Sequence, residues 1–233
     1  MRAELLRQFV WMAVLFIAMA FLESAVVVYL RALYYPSGFD FPLVVMDRAL
    51  WTTEIGREMA TLILLFAPGA LLTRRALERF AWFCFGFGVW DIFYYVWLKA
   101  LLDWPTSLVT ADLLFLVPIP WIGPVWCPIV VSFGLIAWAV IVLRARAQHP
   151  CCHLPRVGGG LLGAGAMVMV LSFLIEPWHA VREHIGADLR LLDGEHVLEA
   201  MRFFQPTGFP LGLFLAGAAI STIGLLWTAV RMH

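Results

Sequence analysis

Six separate stretches of this chain are too long and too apolar to be hidden inside a soluble protein. They run over 9–33, 50–72, 80–102, 121–143, 157–175 and 208–230. A helix rises 1.5 Å per residue, so about 20 apolar residues cross the hydrocarbon layer of a bilayer. A backbone that enters lipid must also close its own hydrogen bonds, which a helix does. The expected fold is therefore all-α: a polytopic integral membrane helix bundle of about six transmembrane helices, forming one domain over 1–233. Composition agrees, with 63% hydrophobic and 14% charged residues, where a soluble domain has about half and a quarter. A net charge of zero gives no reason to expect a nucleic-acid partner. Four scattered cysteines are too few for a disulfide framework.

The start, with Arg2, Glu4 and Arg7, resembles the charged head of a signal peptide. The apolar run behind it is too long and has no small-residue cleavage site, so it reads as a retained first span. Orientation follows from the positive residues of the short connections. Arg2 and Arg7, then Arg74, Arg75 and Arg79, then Arg144, Arg146 and Arg156, and finally Arg231 all fall on one side. That side is expected to be the cytoplasm, with both termini in it (N-in, C-in), in the cell (inner) membrane. Of sixteen acids only Glu4 and Glu78 share that side.

Two outer segments break the pattern. Residues 103–128 hold five prolines, Pro105, Pro118, Pro120, Pro124 and Pro128. Proline cannot continue a helix ladder, so a broken or re-entrant approach to the fourth span is expected. Residues 176–206 form the longest hydrophilic loop, within which 197–204 has the pattern of an amphipathic helix lying on the membrane surface. Gly159 and Gly163, and likewise Gly208 and Gly212, are spaced for close helix approach. No repeat relates the two halves of the chain.

The ionisable residues inside the spans carry the functional signal, because charge is costly there and usually faces the bundle interior. Asp47, Trp51, Glu54, Glu58 and Thr61 follow a 4-3-4-3 spacing, which lays them on one face of the second span. Arg57 is placed to neutralise Glu54 or Glu58. The third span adds Asp91, Tyr95 and Lys99, with Trp90 and Tyr94 alongside, and the first adds Glu23. Counted inward from Asp47, Lys99 and Arg31, the acids Glu54, Asp91 and Glu23 each lie roughly 10–12 Å below the outer surface. The structural alternative is a set of buried ion pairs, Glu54–Arg57, Glu58–Arg57 or Asp91–Lys99, that fix helix register. Four acids against one nearby arginine and one interfacial lysine leave carboxyl groups over. Glu54, Glu58, Asp91, Arg57, Glu23 and Tyr95 are accordingly the candidate catalytic residues.

Glu176, His179 and Glu183 follow a 3-4 spacing after the fifth span, with Pro177 at a plausible helix start. A Glu-x-x-His pair is the ligand unit of carboxylate-bridged dimetal sites in helical bundles, although those use two such pairs. A divalent metal is the cofactor this set would take. On the opposite face His149, Cys151, Cys152 and His153 are soft ligands at a spacing unlike ordinary zinc motifs. Cys84 and Cys127 read as packing residues.

Buried carboxylic acids among aromatic side chains suit proton transfer to and from an apolar substrate, or a metal or quinone site. The stretch from Trp82 to Tyr95, WFCFGFGVWDIFYY, resembles the acid-bearing aromatic helix of emopamil-binding-type sterol isomerases, over that one helix and without a diagnostic motif. The expected function is a membrane-embedded enzyme acting on a lipophilic substrate (lipid, isoprenoid or quinone) in the outer half of the bilayer, with membrane lipid as its partner. The alternatives are a non-catalytic subunit of a larger membrane complex, in contact with other membrane subunits, and a proton- or cation-coupled carrier.

Overall fold

The computed structural model describes residues 2–44, 47–186 and 194–232. The chain order is α1 (Arg2–Tyr34), α2 (Arg48–Leu72), α3 (Ala76–Leu102), β1 (Ala111–Phe115), β2 (Trp121–Pro124), α4 (Trp126–Gln148), α5 (Arg156–Ile185), α6 (Gly194–Met201) and α7 (Leu211–Arg231). Six of the helices, α1 to α5 and α7, are long and apolar enough to cross a membrane. The chain is a multi-pass helical bundle of membrane-protein character.

Local chemistry sets the ends of these helices and shows where the sequence was harder to read. Asp47 caps α2, its carboxylate accepting the Leu50 N–H at 2.9 Å, and so turns outward instead of joining the stripe that begins at Trp51. Asp103 closes α3 in the left-handed conformation (φ 52°). The fifth helix does not stop before Pro177. It runs on to Ile185, with Pro177 buried inside it, as Pro68 lies inside α2. Proline removes one ladder bond, and in a packed membrane bundle neighbouring groups and small local adjustments absorb that loss. Residues 187–193 of the expected outer loop lie outside the described residues. After them the short helix α6 buries Val197, Ala200 and Met201 against Phe41, Ile119 and Val181.

The proline-rich stretch is an antiparallel hairpin, β1 with β2, pairing Ala111 with Pro124 and Leu113 with Ile122. This is the one departure from an all-α reading among the described residues. Four of the five prolines fall in the hairpin or in the first turn of the helix after it. Pro118 and Pro120 lie in the turn and Pro124 ends β2, positions that tolerate a missing donor. Pro128 falls in the first turn of α4, where its N–H would be unpaired anyway. The fourth apolar run consequently splits, Trp121 to Pro124 becoming a strand and the helix starting at Trp126.

Helix α3 lies at the centre, touching α1, α2 and α4, while α5 packs mainly on α7. A single apolar cluster gathers Phe16, Leu65, Trp82, Phe85, Trp90, Trp138 and Met232. At the end opposite the hairpin, Glu78 accepts from Arg146 at 3.0 Å and Arg75 at 3.2 Å, and Arg146 also donates to the Cys152 carbonyl at 2.6 Å. Those bonds draw the α2–α3 and α4–α5 connections together.

The glycines that pack α5 on α7 are not the expected pairs. A Cβ at Gly165 would fall 2.6 Å from the Gly217 carbonyl, and one at Gly224 would fall 2.9 Å from the Leu162 nitrogen. Gly158, Gly165, Gly217 and Gly224 thus form the seam, at seven-residue spacing on each helix. Gly163, Gly208 and Gly212 meet nothing within 4 Å, and Gly159 meets only Leu154. The four-residue motif picked the wrong face of α5 and, for the last span, glycines ahead of and at the very start of α7.

Candidate functional site

Trp51, Glu54, Glu58, Thr61, Leu65 and Gly69 are the buried residues of α2, so its polar stripe faces the protein interior. Arg57 flanks that stripe and is the hub of a three-residue clamp. Its Nε donates to Glu54 at 2.8 Å, and its terminal nitrogens pair with Glu54 at 2.7 Å and with Glu23 of α1. Glu23 also accepts from the Thr61 hydroxyl at 3.1 Å. Arg57 is thereby committed to Glu54 and Glu23, tying α1 to α2.

Glu58 and Asp91 are held differently. Both oxygens of Glu58 accept the backbone N–H of Leu116, at 2.9 and 3.1 Å, where the hairpin turns. Asp91 on α3 accepts from the Ser132 hydroxyl of α4 at 2.8 Å. Among the described residues neither carboxyl group has an ion-pair partner, although both are buried. The expected Asp91–Lys99 pair does not form. Lys99 lies at the surface, 2.6 Å from Asp103, and donates to the carbonyls of Asp103 and Pro105. Beside that ammonium the exposed Asp103 carboxyl is held below its usual range.

The hairpin adds a residue that sequence reasoning did not select. Asp112 on β1 is 2% exposed, accepts the Tyr95 hydroxyl at 3.0 Å and lies 4.0 Å from Arg31. Arg31 is itself buried, its guanidinium 3.9 Å from the Trp104 ring centre and 4.6 Å from that of Phe39. Aromatic faces take up part of the positive charge that water would otherwise solvate.

These groups enclose one cavity of about 140 Å³. Glu23, Glu54, Arg57, Glu58, Asp91 and Tyr95 all line it, together with Arg31, Asp112, Tyr94, Trp51 and Trp90. Five carboxyl groups thus share a wall with two guanidiniums. Trp51 and Trp90 are 8% and 6% exposed, and their indole N–H groups have no hydrogen-bond partner in the protein.

The chain matches no family model, no curated protein and no solved structure. Its chemistry is therefore read from its own groups.

The metal set expected from spacing is not assembled. Glu176 is used locally, accepting from Gly208 N–H at 2.8 Å and the Thr207 hydroxyl at 3.2 Å, while His179 and Glu183 are exposed. Among the described residues no three His, Cys, Asp or Glu side chains converge as metal ligands. The same holds for His149, Cys151, Cys152 and His153, whose cysteines are free thiols.

The arrangement separates two kinds of acid. Glu23 and Glu54 are both paired with Arg57, whereas Glu58 and Asp91 each accept a single neutral donor. A carboxyl group of the second kind can take up and release a proton without breaking a salt bridge. Asp112 was legible only as one acid inside the apolar run from Leu108 to Phe115, and its role depends on a hairpin that no periodicity announces.

Proposed function

We propose that this chain is a membrane-embedded enzyme that exchanges protons with a lipophilic substrate at the acidic cavity. The observation that carries the reading is the pair of buried carboxyl groups, Glu58 and Asp91, that form no direct ion pair among the described residues and line one aromatic-walled cavity. Uncompensated buried charge is costly, so an excess of three carboxyl groups over guanidiniums favours a site that holds protons. Glu58 and Asp91 would act as the acid–base groups. Arg57 would keep Glu54 and Glu23 anionic, and Tyr95 would hold Asp112.

The cavity lies at the hairpin end of the bundle, and the arginine-bearing connections lie at the other. By the positive-inside rule the termini belong in the cytoplasm of a cell whose inner membrane the chain crosses, and the cavity opens toward the outer leaflet. Reporter fusions after Arg79 and Arg156 should read as cytoplasmic and one at Thr106 as external. The opposite result at Thr106 would reverse this placement.

The enzymatic reading is tested by comparing total lipid extracts of cells producing the wild type, Glu58→Gln or no protein. The wild type should deplete one lipophilic species and accumulate an isomer or proton-transfer product, and Glu58→Gln should do neither at equal folded yield. Gln keeps the shape and still accepts the Leu116 N–H but cannot exchange a proton. Identical extracts from all three cultures would sink the enzyme. The carboxyl excess also suits a proton- or cation-coupled carrier, which would show as substrate-dependent proton uptake in vesicles without any new lipid.

A further inference from the structure

Arg31 and Asp112 face each other on the cavity wall without bonding. An Arg31 Nη atom lies 4.0 Å from Asp112 Oδ1, beyond hydrogen-bond reach. The other contacts of that guanidinium are the Trp104 and Phe39 ring faces, which offset its charge but bring no oxygen acceptor. Among the described residues none of its N–H groups donates a hydrogen bond to the protein, although a guanidinium carries five and Arg31 is only 9% exposed. Asp112 has acceptor capacity to match. Its Oδ2 accepts from Tyr95 at 3.0 Å, and a carboxylate offers about four acceptor positions.

The gap has the dimensions of one oxygen atom. An oxygen at an ordinary hydrogen-bond length of about 2.8 Å from each group closes a triangle on the 4.0 Å base, with about 90° between its two bonds. A hydroxyl serves both sides without adding charge, since it accepts from the guanidinium and donates to the carboxylate. A ketone, ester or ether oxygen accepts from Arg31 and gives Asp112 nothing. A carboxylate or phosphate would set a second negative charge beside Asp112, in a cavity whose five carboxyl groups already outnumber its two guanidiniums, and like charges at that range repel.

The pair also lies at the right level for the polar end of an amphiphile. Arg31 is in the last turn of α1. Glu23, eight residues deeper on the same helix, bonds Thr61 and Arg57, which flank Glu58 in sequence. Eight residues of helix are about 12 Å. The hairpin gives a second measure, because Asp112 lies four residues, or about 13 Å of extended chain, from the Leu116 amide that holds Glu58. A molecule with its hydroxyl at Arg31 therefore lays its carbons along the wall toward Glu58. The cavity of about 140 Å³ is close in size to one that holds a benzene ring, so it encloses a head and the leading carbons and leaves the rest of the tail outside. We propose that the Arg31–Asp112 pair binds the hydroxyl group of a lipophilic alcohol, the guanidinium donating to its oxygen and Asp112 accepting its O–H. This inference rests on the acidic cavity being the substrate site and names the class of molecule that it takes.

The test is saturable binding of tritium-labelled dodecan-1-ol to the full chain in phosphatidylcholine nanodiscs, counted above empty discs. Unlabelled dodecan-1-ol should compete about tenfold more strongly than dodecyl methyl ether, which accepts a hydrogen bond and cannot donate one. Asp112→Asn should narrow that preference to about threefold or less, because an amide both accepts and donates. Arg31→Met should weaken the alcohol about tenfold. If Arg31→Met elutes as aggregate, Arg31→Met with Asp112→Asn replaces it, since it leaves neither charge alone, and the same weakening is expected. No saturable component in the wild type, equal competition by the ether, or wild-type affinity in the Arg31 variants overturns the site. Stronger competition by dodecanoate than by dodecan-1-ol overturns the hydroxyl. Alcohol binding with these ratios, from a protein that leaves cellular lipid extracts unchanged, keeps the site and removes the enzyme. Turnover of a lipid without a hydroxyl, with no alcohol binding, does the reverse.

Discussion

The two halves of this bundle are held together by opposite means. Around the acidic cavity α1, α2, α3 and the hairpin are joined by polar side chains reaching across gaps: Arg57 to Glu23, Glu58 to Leu116, Tyr95 to Asp112, Asp91 to Ser132. On the other side α5 and α7 meet backbone to backbone through Gly158, Gly165, Gly217 and Gly224. Lipid is as apolar as leucine, so burying more hydrocarbon gives helices little reason to associate there. Close van der Waals contact and polar bonds are what remain, and this chain uses one on each side. The polar side leaves a small cavity with chemistry in its walls. The glycine side leaves no room along its own seam, and an apolar crevice between α4 and α5 lies on a neighbouring face of α5.

The sharpest way to break the comparison is Arg57→Met. It strands the Glu54 and Glu23 carboxylates together and should cost about 3–5 kcal/mol, as breaking buried ion pairs does. Adding Glu23→Gln and Glu54→Gln should recover most of the loss, read as thermal melting in detergent. Failure of that rescue would mean that Arg57 matters for its packing and not for its charge. A smaller effect is expected on the glycine side. Gly165→Leu drives a side chain into the α7 backbone and should cost about 1–3 kcal/mol or more, whereas Gly163→Leu, two residues earlier on the same helix, should change melting little. Equal losses would erase the distinction between seam and crevice. The smallest is Ser132→Ala, which removes the one hydrogen bond to Asp91 and should cost about 1 kcal/mol. A markedly larger loss would place Asp91 among the charged, dependent acids with Glu54.

Much of this was legible because membranes impose simple rules. Six apolar runs, and a 4-3-4-3 stripe on the second, follow from helix geometry, and that stripe turns inward from Trp51 to Thr61. Glu23, Asp91 and Tyr95 come to the same cavity because depth along a helix is nearly a count of residues. Partners were harder to read. Which acids Arg57 takes depends on rotamers and on a second helix, and Lys99 reaches the carbonyls of Asp103 and Pro105 just past the end of its own helix instead of Asp91. The hairpin was hidden because its strands are apolar throughout and look like a continuation of the fourth span. The glycine seam was missed because a four-residue motif is so common in membrane chains that it does not say which face carries the contact.

The anchoring of Glu58 on the Leu116 amide makes loop length a fixed quantity. Most connections between membrane helices absorb insertions, since nothing downstream depends on their register. Here the amide that must meet Glu58 is a main-chain atom, so no substitution at position 116 except proline removes it, yet a single residue gained or lost between Leu113 and Leu116 shifts it by a full step and flips the following side chains to the other face. The α3–α4 connection therefore tolerates changes of spelling far better than changes of count. The five residues from Leu116 to Pro120 behave as a gauge block cut to one length.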